Sequence, residues 1–211
     1  MTVLRVPATA DLLLDADNAC EASDLAPVEA SWASAAAAQA RLRAMVDAHF
    51  DTIYCALRRL GVPPGDLDDC AQQVFLVASG KLAAIVPGRE RAFLLGTAAN
   101  VASHARRSQR RRREVPEPEE DETLDRADKG PRPDEAMEQK RQRAMLDEVL
   151  AAMPEELRTV LVLFELEELT MAEIASALDL PQGTVASRLR RARETFTRLS
   201  ARVVGARGGR S

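Results

Sequence analysis

Aromatic side chains are nearly missing from this chain. One tryptophan, one tyrosine and five phenylalanines make up 3% of its 211 residues. With alanine, leucine and arginine dominant instead, the composition favours helices and argues against an architecture built from strands. Histidine is scarcer still, at two residues, His49 and His104. The three cysteines, Cys20, Cys55 and Cys70, are odd in number and far apart. No zinc-ligand spacing can be assembled from these groups, and the cysteines read as small hydrophobes in a reducing compartment. No run approaches the ~18 apolar residues that span a bilayer. Asp11, Asp15 and Asp17 interrupt the N-terminus before a signal-peptide core develops. The expected location is the cytoplasm, without membrane insertion. A glycine-rich phosphate loop, a Ser-His-Asp or Cys-His set and a metal cluster are also missing. The residues therefore point away from an enzyme, and they call for no cofactor and no metal.

What the chain does have is charge, unevenly placed. The net charge of −4 looks unsuited to nucleic acid, but the average misleads. From Glu114 to Glu138 there are eleven acids against three bases, a net of −8, which leaves +4 on the remainder. Six arginines fall between Arg106 and Arg113, and four between Arg188 and Arg193. Local patches of this kind, not the overall balance, decide whether phosphates are attracted.

The pattern predicts an all-α chain of two small helical domains. Residues 1–38 read as an N-terminal extension, partly disordered, that becomes helical near Ser34. Residues 39–113 form the first domain. Leu42, Met45, Val46, His49, Phe50, Ile53, Leu57 and Leu60 share one helical face, Gly61 ends that helix, and His49 reads as a packed core residue. After a Pro-Pro-Gly turn, Asp66 is the expected N-cap of a second helix, with Asp68 and Asp69 complementing its dipole. Pro87 and Gly88 break the pattern again before "RAFLLGTAANVASHARRSQRRRR", apolar early and basic late. Residues 114–138, acidic and proline-containing, read as a flexible linker. Residues 139–200 form the second domain, and 201–211 a disordered tail.

In the second domain, "TMAEIASALDLPQGTVASRLRRARETF" reads as a helix-turn-helix. Thr170 is the expected N-cap, with Glu173 completing a capping box. Ile174, Ala175 and Leu178 face inward, with Ala175 small where two helices cross. Asp179 to Gln182 turns the chain, and Gly183 or Thr184 opens the second helix. Val185 and Leu189 form its buried stripe. That leaves Thr184, Ala186, Ser187, Arg188, Arg190 and Arg191 as the candidate set for a DNA groove. Solvated surface arginines are the plainer reading. The small inward alanine, the turn length and the Gly-Thr-Val start together favour DNA, where the arginines can meet phosphates or guanine edges. In the first domain the basic end of the third helix offers a second candidate set: Asn100, His104, Arg106, Arg107 and Arg110. Arg106 and Arg107 are expected to project from a rigid frame.

The stretches "LDDCAQQVFLVASGKL", "RAFLLGTAANVASHARRSQRRRRE" and "MPEELRTVLVLFELEELTMAEIASALDLPQGTVASRLRRARETF" resemble the extracytoplasmic-function sigma factors, small bacterial initiation factors with regions two and four. The resemblance covers about Leu42 to Arg113 and Met145 to Leu199. It implies a region-two-like bundle and a region-four helix-turn-helix. Its implied partners are core RNA polymerase (the β′ clamp helices and the β flap), promoter DNA and an anti-sigma factor. By the same resemblance, Asp69, Gln72, Gln73 and Phe75 contact polymerase. The loop from about Leu82 to Arg91, with Asn100, captures an unstacked base of the minus-ten element, and the arginines that follow hold phosphates. The helix from Gly183 to Arg193 enters the minus-thirty-five major groove. The acidic linker then joins two promoter-binding domains; its acids would occupy the RNA exit path or fold over the basic helices. The alternative is a helix-turn-helix regulator that binds DNA without polymerase, for which the second basic site has no evident use.

Overall fold

The computed structural model describes residues 22–113 and 133–208, and among them every regular element is a helix. The all-α expectation holds. The first helix, α1 (Ala22–Arg59), begins well before Ser34, because the alanine-rich run that follows has the strongest intrinsic helix preference. Residues up to Arg41 form a unit of their own, and residues 42–211 form a second, compact one. The expected linker at 114–138 lies outside the described residues up to 132, and from Pro133 the chain is helical. The extension at 1–21 lies outside them as well.

Within the larger unit, Met45, Ile53, Leu57 and Leu60 are the buried face of α1, with Val46 and Phe50 packed at its margin. Gly61 ends the helix as expected. It has φ +87°, and the Gly61 and Val62 amides donate to the Arg58 and Leu57 carbonyls at 2.9 and 3.1 Å. After a 3₁₀ turn at Pro64–Asp66 comes α2 (Leu67–Gly80), which buries Leu67, Cys70, Ala71, Val74, Phe75 and Ala78. Asp66 stands at its N-cap but makes no side-chain cap hydrogen bond. The 3₁₀ turn leaves Asp66 near the helical region (φ −99°, ψ −2°), whereas a capping side chain needs an extended backbone to reach back. Gly88 turns the chain at φ +82° into α3 (Glu90–Arg113), whose stripe Leu94, Leu95, Ala98, Ala99 and Ala102 completes this core.

The second half comprises α4 (Pro133–Ala151), α5 (Glu155–Leu161), α6 (Met171–Leu178) and α7 (Gln182–Gly208). The last of these continues past residue 201, where a tail was expected. Its core joins that of the first half: Leu150, Leu157, Val160, Leu163, Ile174, Val185 and Leu189 belong to the same buried cluster as Ile53 and Leu94.

The end of α5 is unusual. Val162–Leu166 widens into a π turn, with the Glu167 amide reaching the Val162 carbonyl at 3.0 Å and the Leu169 amide reaching Leu163 at 2.9 Å. The turn closes through Glu168 at φ +53°, a left-handed conformation for a residue with a Cβ. That conformation costs an L-residue about 1–2 kcal/mol, whereas glycine gives back about 0.5–1 kcal/mol through its freer unfolded chain. Glu168→Gly is therefore expected to raise unfolding stability by about 0.5–1 kcal/mol in urea titrations. A neutral or destabilised variant would contradict this backbone geometry.

Candidate nucleic-acid interface

The helix-turn-helix forms as its sequence dictates. The Thr170 hydroxyl accepts from the Glu173 amide at 3.2 Å, and the Glu173 carboxylate accepts from the Thr170 amide at 2.9 Å, a complete capping box. Those bonds from Thr170 hold the Glu173 carboxyl below the usual carboxylate range. Asp179 takes the left-handed C-cap position (φ 52°, ψ 51°), and the Leu180 amide closes on the Ala175 carbonyl at 2.9 Å. The Pro181 carbonyl then receives the Thr184 and Val185 amides, so α7 starts one residue ahead of the expected Gly183. Ile174 and Ala175 face inward against Val185, Leu189 and Ala192.

This packing fixes which face of α7 is outward. Ala186, Ser187, Arg190 and Arg191 are exposed, and Thr184 and Arg188 are half-buried. Glutamates already orient much of this basic face. Arg188 pairs with Glu156 at 3.0 Å and Arg190 with Glu194 at 2.9 Å. Arg193 pairs with Glu165 at 2.7 Å and lies 5.5 Å over the Phe164 ring. The Ser187 hydroxyl donates to the Thr184 carbonyl.

In the first half, α2 presents Asp69, Gln72 and Gln73 to solvent. Phe75 does not join them. It is buried and stacks on Phe50 at 6.1 Å between ring centroids, because its position on the helix faces the α1 core. Beside Gln72 the apolar surface is instead Leu76, 62% exposed at the rim of a shallow groove formed with Leu42, Val46, Phe50 and Phe75. Sequence reasoning passed over Leu76, although an apolar residue next to two glutamines on a helix was a visible signal. Asn100, His104, Arg107 and Arg110 lie exposed on α3.

Arg106 departs from expectation. It is 7% exposed, and its Nη2 lies 2.9 Å from Glu155 Oε1 at the start of α5. The angles give its Nε, Nη1 and Nη2 no hydrogen bond. The reason is packing: α3 and α6 meet closely, and a Cβ on Gly96 would fall 2.7 Å from the Ala177 Cβ. The side of α3 that carries Arg106 is thereby turned into the joint. A groove of about 1050 Å³ remains beside this contact, with Asp69, Gln73, Asn100 and His104 on one wall and Glu173 and Ser176 on the other.

Charge pairs run across the same joint. Glu167, 3% exposed, receives Arg59 at 2.8 Å and Arg91 at 3.3 Å, and Arg91 also donates to the Glu167 carbonyl. Burial pushes the Glu167 carboxyl up, against the pull of Arg59 and Arg91, and neighbouring Glu168 adds to the rise. For Glu155, burial also pushes upward, but hydrogen bonding from Ser103 and the charge of Arg106 overcome it and hold the carboxyl low. Arg158, also buried, donates to the carbonyls of Leu60, Ala151 and Met153 at 3.0 to 3.2 Å, filling acceptors at the ends of α1 and α4. Burial lowers its pKa, and the nearby Arg106 lowers it further. In sequence these acids looked like ordinary solvated charges, and nothing marked them as buried.

Residues 143–196 match the family model described as sigma-70, region 4. The chain is 29% identical over 150 residues to the ECF RNA polymerase sigma factor SigE of Mycolicibacterium smegmatis, which covers 71% of this chain and 58% of that one. It is 41% identical over 64 residues to the RNA polymerase sigma-H factor of Pseudomonas aeruginosa, or 30% of this chain and 33% of that one. The chain belongs to the extracytoplasmic-function sigma factors. It spans between a third and three-fifths of the length of these curated relatives. Two solved structures share the fold of this sigma-family chain. One is CnrH in complex with the cytosolic domain of CnrY, with a TM-score of 0.55 and 23% identity, covering 76% of this chain and 88% of that one. The other is the sigma factor RpoE from Bartonella quintana in complex with the anti-sigma factor NepR, with a TM-score of 0.57 and 17% identity, covering 74% and 94%.

The buried carboxylate makes a pH prediction with a definite sign. A carboxyl whose native pKa is raised contributes stability that is fully present below its unfolded value and is lost as pH rises through the native one. The stability of the wild type relative to Glu167→Gln should therefore fall as pH rises above the ordinary carboxylate range. Urea unfolding of both proteins across that range measures it. A difference that grows with pH would mean Glu167 is held low, not high.

Proposed function

We propose that this chain is an alternative sigma factor: it binds core RNA polymerase, directs it to promoters and takes part in initiation, while polymerase performs the chemistry. The observation that carries the reading is the helix-turn-helix at residues 170–193. There a complete capping box and an inward Ala175 set a basic outward face within the stretch that matches sigma region 4. In this reading the described helices divide into two domains, about 39–113 and 139–200, joined by the acidic segment 114–138. Thr184, Ala186, Ser187, Arg188, Arg190 and Arg191 meet the minus-thirty-five major groove. Asn100, His104, Arg107 and Arg110 meet the minus-ten strand, and Arg106 does so only once the joint opens. Capture of an unstacked base costs a few kcal/mol, offset by a pocket and charge contacts.

Polymerase binding falls to the exposed side of α2. Asp69, Gln72 and Gln73 supply polar contacts, and Leu76 an apolar one that suits the clamp helices of β′. Phe75 supports this face from the core. Region 4 would contact the β flap. An anti-sigma factor is a further expected partner, since both structural neighbours named above are held in complexes. The absence, among the described residues, of a helix long and apolar enough to cross a membrane agrees with such a role.

The test is co-elution of the purified chain with bacterial core RNA polymerase on a sizing column. The wild type should co-elute, and Asp69→Ala/Leu76→Ala, which leaves the Phe50–Phe75 stack intact, should lose most of that binding. A chain that ignores core polymerase while a control sigma binds, and yet binds duplex DNA alone, would make it a free-standing helix-turn-helix regulator.

A further inference from the structure

Three basic residues on or just before α3 each face one acid of the C-terminal half. Arg89 meets Glu173 at 3.8 Å, Arg91 meets Glu167 at 3.3 Å and Arg106 meets Glu155 at 2.9 Å. A row of carboxylates lying along a row of arginines presents the charge that a phosphate backbone would present to them. The match is incomplete where it matters. Arg106 is buried with three guanidinium nitrogens lacking a hydrogen bond, which is costly for a group with five donors. Such a side chain is held in place by the joint without being satisfied by it, and a partner richer in acceptors would compete well for it. A phosphate diester, with its oxygens spread along a strand, is such a partner.

We propose that the acidic edge Glu155–Glu167–Glu173 acts as an internal substitute for nucleic-acid phosphate, closing on α3 and masking its arginines until the two halves separate. The proposal rests on the reading that the α3 arginines meet promoter DNA, and it adds that the free chain restrains that contact by itself. Its weak point is built in. Gly96 against Ala177 sets the depth of closure, and nothing else lies near a Cβ at position 96. A larger side chain there pushes the halves apart while improving the intrinsic helix preference of α3.

Two variants of the full chain test this by different routes. Gly96→Leu opens the joint sterically and leaves every charge in place. Glu155→Gln/Glu173→Gln removes two of the three competing charges and leaves the packing in place. Circular dichroism checks that both remain helical, and small-angle scattering reads the separation of the halves. Affinity is measured by anisotropy with a labelled mixed-sequence single-stranded oligonucleotide at low salt. The wild type should scatter as a closed particle, Gly96→Leu as an extended one, and both variants should bind the oligonucleotide at least about fivefold more tightly than wild type. Adding Arg106→Ala to either variant should remove part of that gain. A wild type already extended overturns the proposal, as do opened variants that bind no more tightly. Failure of the proposed function is a separate result, read from the absence of polymerase co-elution while the scattering still reports closure.

Discussion

A carboxylate taken out of water must be met by positive charge, and Glu167 imposes that requirement on the centre of this molecule. It is carried on the loop after α5, yet its partners Arg59 and Arg91 come from the end of α1 and the start of α3. The π turn and the left-handed Glu168 aim it across the joint. Arg158 is the counterpart in the other direction, buried from the C-terminal half and bound to the Leu60 carbonyl. With these two groups buried, the halves have one register in which no isolated charge is left in the interior. Replacing such a network with apolar residues can leave stability unchanged, so its main effect is to specify how the halves meet.

That register governs what the surface offers. It puts Gly96 on Ala177, turns Arg106 inward and leaves Asn100, His104, Arg107 and Arg110 outside. The face of α7 that carries Ala186, Arg190 and Arg191 is also outside, as is the face of α2 that carries Gln72 and Leu76. In the proposed function these faces meet different things: polymerase on α2, one promoter element on α7 and another on α3. The closed joint leaves α2 and α7 exposed and covers part of α3, so polymerase could dock before the strand-binding arginines are released.

The sequence showed clearly what depends on neighbours in the chain. Thr170 and Glu173 lie three residues apart and form the capping box the spacing requires, and Gly61 terminates α1 because a left-handed residue is needed there. Val185 and Leu189 formed the buried stripe read from their period. Asp66 failed as a cap because a preceding 3₁₀ turn, invisible in residue preferences, set its backbone. Phe75 and Arg106 were misplaced for a related reason: periodicity says which residues share a face, but not which face meets another element. Nothing local distinguished Glu167 from Glu165 or Glu168 in "FELEEL"; their difference arises only when α1 and α3 arrive. The glycine and alanines of "LLGTAAN" were the one local hint of a close helix crossing, since small residues on a helix face permit a near approach.

The most direct measurement is the distance between spin labels at Ser79 on α2 and Thr197 on α7, both exposed, in a background with Cys20, Cys55 and Cys70 replaced by alanine. The account predicts a single short distance in the free chain and a clearly longer one when core RNA polymerase and promoter DNA are bound. One unchanged distance in both states, or a long and broad distribution in the free chain, would contradict it.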